Sequence, residues 1–151
     1  MKEAYIKKIP DAGLFATNVS RFIIEFEDCS SLLVDKELLK VRWFENDKGK
    51  TDIVKFHKTK MNLFIYLLEH ALQREVTSDE LLINVWDKYG LKSSRRQLWY
   101  VLGQLKLSLY SLGIPYDFIQ TKKGRGYHLE KVKIYLIIDS GTQCSHLDHS
   151  R

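Results

Sequence analysis

Cysteine is scarce in this chain: Cys29 and Cys144 are the only two among 151 residues. One pair cannot build the disulfide framework of a small secreted fold, so a reducing cytoplasm is the expected compartment. Long apolar runs are missing too. The longest, residues 63–68, falls far short of the roughly 20 residues a membrane span needs. Near the start, Lys7, Lys8 and Asp11 break any apolar block that would serve as a secretory signal. The constellations of catalysis are equally absent. His57, His70 and His128 are scattered and pair with no obvious nucleophile, and neither a triad, a metal-hydrolase helix nor a paired-carboxylate site can be read. No enzymatic activity, metal or cofactor is expected.

What remains is an ordinary globular composition, 44% hydrophobic and 28% charged, at a length that suits one modest core. The expected division is a domain over residues 1–133 followed by a short strand and tail over residues 134–151. The net charge of +5 is unevenly spread. Residues 93–133 hold eight Lys or Arg against two Asp or Glu, so the whole excess sits there. Such a segment is the electrostatic footprint of a polyanion-binding surface, or else simply a solvated basic face.

The first third lacks helical periodicity and shows short β-like runs separated by polar residues. Residues 21–26, 32–34, 39–44 and 53–56 are rich in β-branched and aromatic residues, with turn-forming residues 28–31 and a polar loop at 45–50 between them. They predict a small antiparallel sheet. From Thr59 the period becomes helical, with Met61, Phe64, Leu67, Leu68 and Leu72 on one face. A second helix opens at Thr77-Ser78-Asp79-Glu80, where hydroxyl and carboxylate can reciprocally satisfy free backbone N–H groups. Leu81, Leu82, Val85, Trp86 and Tyr89 form its apolar stripe, and Gly90 ends it.

A third helix opens at Ser94-Arg95-Arg96-Gln97, a second capping box. Leu98, Leu102, Leu105, Leu109 and Leu112 make its inner stripe, while Ser93, Arg96, Tyr100, Gly103, Gln104 and Leu107 share the opposite face. Gly113 and Pro115 stop it. Residues 118–121 and 127–129 then read as two strands joined by Lys122-Lys123-Gly124-Arg125-Gly126, a hairpin with three cations at its tip and Phe118 and Tyr127 at its base. Residues 135–138 are a further candidate strand, and residues 139–151 a tail.

A helix with a leucine underside can rest on two others and offer its outer face to a major groove, which admits one helix. Arg96 and Gln104 suit guanine and adenine edges, and Trp99 and Tyr100 suit a thymine methyl or a phosphate. Arg125, Lys122 and Lys123 suit phosphates or a narrow minor groove.

The order of these motifs resembles the OmpR/PhoB-type winged helix-turn-helix domain, most closely its stand-alone or membrane-tethered CadC/ToxR-like regulators. The resemblance rests on Val85-Trp86, Ser93-Ser94-Arg95, Leu105-Lys106 and the run from Thr121 to Tyr127, and covers about residues 20–133. It implies an α+β fold: an N-terminal antiparallel β-sheet, three helices and a C-terminal β-hairpin wing. It also implies sequence-specific DNA binding for transcriptional control, in a family tied to phosphorelay signal transduction. The third helix would be the recognition helix and the wing would run from Lys122 to Gly126. The implied DNA-binding residues are Ser93, Ser94, Arg95, Arg96, Trp99, Tyr100, Gly103, Gln104, Lys106, Lys122, Lys123 and Arg125. The implied partners are double-stranded DNA, RNA polymerase through the segment from Asp87 to Lys92, and a second copy of the chain on DNA. The implied location is the cytoplasmic nucleoid.

Three departures stand out. The length leaves no room for a phosphoacceptor receiver domain, and no membrane span is visible. Gly103 and Gln104 occupy outward positions that are often Arg or Lys in the family, with Leu107 facing outward nearby. The rival reading is a winged-helix module in which Trp99, Tyr100 and Leu107 contact a protein. Cys144, His146 and His149 carry metal-ligand chemistry but lack the second ligand pair of a zinc finger.

Overall fold

The computed structural model describes residues 4–8, 19–46 and 51–139. The candidate ligands from Cys144 to His149 and nearly all of the expected tail lie outside the described residues.

Six antiparallel strands form the main sheet: β1 (Ala4–Lys8), β2 (Val19–Phe26), β3 (Ser31–Asp35), β4 (Lys40–Phe44), β5 (Thr51–Lys55) and β8 (Val132–Asp139), in the order β1-β8-β2-β3-β4-β5. Alternation decides which face is covered. Phe22, Ile24, Leu32, Val34, Val41, Trp43, Ile134 and Leu136 all point into the core. Asp28 and Asp35 close the first two hairpins: the Asp28 carboxylate accepts the Ser30 N–H, and Asp35 accepts those of Glu37 and Leu38. The strand expected at residues 135–138 is part of β8, which lies between β1 and β2. The expected boundary after Lys133 therefore falls within a strand of the sheet.

Three helices share one hydrophobic core with this sheet. Helix α1 (Lys58–His70) buries Met61, Leu63, Phe64, Ile65, Leu67 and Leu68, a wider face than one stripe because it is central to the layer. Leu72, expected on that face, lies beyond the helix end and is half-buried. Helix α2 (Ser78–Leu81) continues through a π turn (Leu82–Trp86) and a 3-10 turn (Asp87–Tyr89), ending at left-handed Gly90. The wide turn followed by the tight one changes the angular step per residue. Val85 and Trp86 stay in the core, while Tyr89 is carried outward to 46% exposure, contrary to its expected place in the stripe.

Helix α3 (Arg95–Leu112) follows its expected pattern, with all five stripe leucines buried. The Ser94 hydroxyl accepts the Gln97 N–H at 3.1 Å, and left-handed Gly113 closes the other end. A 3-10 turn (Tyr116–Phe118) leads into the hairpin of β6 (Ile119–Lys122) and β7 (Gly126–Leu129). Phe118 and Tyr127 are buried at its base.

Backbone hydrogen bonds tie the hairpin to the helices: the Leu129 N–H donates to the Ala71 carbonyl at 3.0 Å, and an isolated bridge joins Val76 to Tyr127. Val76 and Tyr127 exchange both backbone hydrogen bonds at 2.8 Å. Gly126 permits this approach: its φ is +124°, and a Cβ there would stand 2.3 Å from the Val76 carbonyl oxygen.

Candidate nucleic-acid interface

Two elements present the basic segment, and α2 sits between them. Thr77 caps α2 by accepting the Glu80 N–H at 3.1 Å. The expected return bond from the Glu80 carboxylate is replaced by stronger partners. Arg74 grips that carboxylate with two bonds at 2.9 and 2.6 Å, and the Tyr66 hydroxyl donates to it at 2.6 Å. A guanidinium fork outcompetes a single backbone N–H for a carboxylate. The Arg74 bond holds the Glu80 carboxyl below its ordinary range. Burial, reinforced by Glu80, pushes the Tyr66 phenol up to about 12. This triangle locks the corner between α1 and α2.

Beside it, a groove of about 470 Å³ runs between the start of α2, the first turns of α3 and the hairpin tip. Arg95 and Trp99 line one wall, and Lys122, Lys123, Gly124 and Arg125 the other. Two acids reach into this basic edge. Asp79 accepts from Arg95 at 2.6 Å, and Glu75 lies 3.4 Å from Arg125. Neither acid was legible as part of the site, because both pairs depend on how α2 docks.

The outer face of α3 is open. Trp99 and Tyr100 are 64% and 67% exposed, Leu107 is 53% exposed, and Arg96 and Gln104 project into solvent. Ser93 is half-buried and Ser94 is spent as the cap. At Gly103 a Cβ would meet nothing within 4 Å. Lys106 is apart from these. It is half-buried with its Nζ 5.7 Å from the Tyr116 ring centroid, and burial lowers its pKa. On the same side Tyr110 meets Tyr116 edge-on at 5.8 Å, a contact the sequence spacing did not suggest. The segment from Asp87 to Lys92 is exposed throughout.

Among the described residues no group of His, Cys, Asp and Glu is arranged to hold a metal ion, and no helix is long and apolar enough to cross a membrane.

Sheet, three helices and hairpin together form a winged-helix fold. Two solved structures share it. The DNA-binding domain of E. coli CadC aligns with a TM-score of 0.54 at 19% identity, over 72% of this chain and 91% of that one. The DNA-binding domain of the response regulator AdeR, in complex with an intercistronic region, aligns with a TM-score of 0.54 at 18% identity, over 66% of this chain and 93% of that one. No protein-family model and no curated protein matches the sequence. At these identities the likeness concerns the fold.

Proposed function

We propose that this chain is a sequence-specific DNA-binding transcriptional regulator, with α3 in a major groove and the wing on the adjacent backbone or minor groove. The observation that carries this reading is the shared groove: Arg95 at the start of α3 lines one wall, and Lys122, Lys123 and Arg125 of the hairpin tip line the other. A duplex lying across it would meet Arg95, Lys122, Lys123 and Arg125 at phosphates, while Arg96, Tyr100 and Gln104 face base edges. That both aligned structures are DNA-binding domains supports the reading. The exposed segment from Asp87 to Lys92 suits an RNA polymerase contact, and a second copy on DNA would supply a second half-site.

The experiment is a selection from random duplexes, followed by anisotropy titrations on the selected and on unselected DNA. Arg96→Ala and Gln104→Ala should each cost about 1–3 kcal/mol on the selected site and much less on unselected DNA. Equal losses on both would reassign these residues to phosphate contact. The second reading, a protein-interaction module, draws on the exposed Trp99, Tyr100 and Leu107. It is favoured if no duplex is enriched and neither substitution has an effect.

A further inference from the structure

The middle of the outer face of α3 carries a notch. Gly103 has no side chain, and a Cβ there would meet nothing within 4 Å. Its neighbours across a helix surface are the residues three and four away, here Trp99, Tyr100, Lys106 and Leu107. Trp99, Tyr100 and Leu107 stand exposed as three largely apolar walls. Lys106 is drawn aside, half-buried with its Nζ 5.7 Å from the Tyr116 ring centroid. After Arg96 that lysine is the only charged residue of the helix.

A cationic edge borders this apolar face. Arg95, Lys122, Lys123 and Arg125 line the groove whose wall Trp99 shares. The occupant must therefore bring anions to the edge and an apolar group to the notch. Duplex DNA brings both. Its backbone carries the anions, and thymine sets a C5-methyl group on the major-groove edge. A guanine or cytosine at the notch would instead press acceptors or a donor against Leu107 and the Gly103 Cα, where nothing answers them.

Resting on the function proposed above, we infer that the notch seats a thymine methyl group, so that α3 recognises A·T pairs through their C5-methyls. Gln104, exposed and next in sequence to Gly103, offers the donor and acceptor that an adenine edge in the same run needs. From Tyr100 to Leu107 the helix rises about 10 Å, which matches about three base steps. The preferred site therefore contains about three consecutive A·T pairs opposite this stretch.

The test selects duplexes from a random library with the intact chain, then replaces single thymines of the selected site by deoxyuridine, which removes the methyl alone. Uracil at the seated position should weaken binding about fourfold, the worth of one buried methyl. Leu107→Ala removes an exposed wall without touching the buried stripe, and should bind the thymine and uracil duplexes equally. Gly103→Ala fills the notch, and should weaken the thymine duplex several-fold while binding the uracil duplex as well as the unsubstituted chain does. Equal affinity of the unsubstituted chain for both duplexes, a site without A·T pairs, or a uracil loss unchanged in both variants would overturn this inference and leave DNA binding standing. Failure to enrich any duplex would overturn both.

Discussion

Asp79 lies 2.6 Å from the Arg95 guanidinium, so the first cation of α3 meets a carboxylate from the first turn of α2. The same relation recurs at 3.4 Å between Glu75 and Arg125 on the wing. Both pairs are solvent-exposed, where an ion pair is worth little and is easily exchanged. On the function proposed above, a phosphate would have to displace the acid before it could use the arginine. The acids would then lower the affinity for any duplex, and a site that also engaged the outer α3 face through its bases would lose proportionately less.

Asp79→Asn should therefore tighten binding to unselected DNA by about two- to fivefold, the ~0.5–1 kcal/mol of an exposed pair. The free protein should lose a few tenths of a kcal/mol, because a carboxylate in a first helical turn favours the helix dipole. Anisotropy titration and urea melts check the two effects separately.

Gly126→Ala should damage the wing's anchor and leave α3 intact. Its Cβ would collide with the Val76 carbonyl at a φ that L-residues rarely adopt. A loss of about 1–3 kcal/mol is expected, with the Val76 and Tyr127 amides exchanging faster and the α3 amides little changed.

The two faces of α3 should respond oppositely to alanine. Leu105→Ala removes a fully buried side chain and should cost about 2–5 kcal/mol in urea unfolding. Gly103→Ala meets open space and should stabilise by about 0.5–1 kcal/mol.

The corner between α1 and α2 should carry a pH signature at both ends of the scale. Arg74 holds the Glu80 carboxyl low, so its contribution is full above the ordinary carboxylate pKa and is lost as pH falls through the lowered value. Tyr66 is raised to about 12, so its contribution is full below the ordinary phenol pKa and is lost as pH rises towards that value. Glu80→Gln should flatten the acid limb of a stability–pH curve, and Tyr66→Phe the alkaline limb.

Much of this was legible in the sequence where the cause is local. The four-three spacing of Leu98, Leu102, Leu105, Leu109 and Leu112 names a buried stripe whatever packs on it, and the Ser94–Gln97 cap needs only neighbours in sequence. The place of β8 was not legible, because pairing Ile24 with Ile134 is decided by the whole sheet. The outward turn of Tyr89 escaped for a related reason. Regular periodicity assumes one helical step, and the π turn after Leu81 changes it. Asp79 and Glu75 read as helix-start and loop acids, and only the docking of α2 against α3 and β7 reveals what they oppose.

The most direct test of DNA engagement by both α3 and the wing is the salt dependence of affinity for a selected duplex. About five phosphate contacts spread from Arg95 to Arg125 would make log K fall against log salt with a slope near −4 to −5. A slope near zero would contradict the shared use of helix and wing.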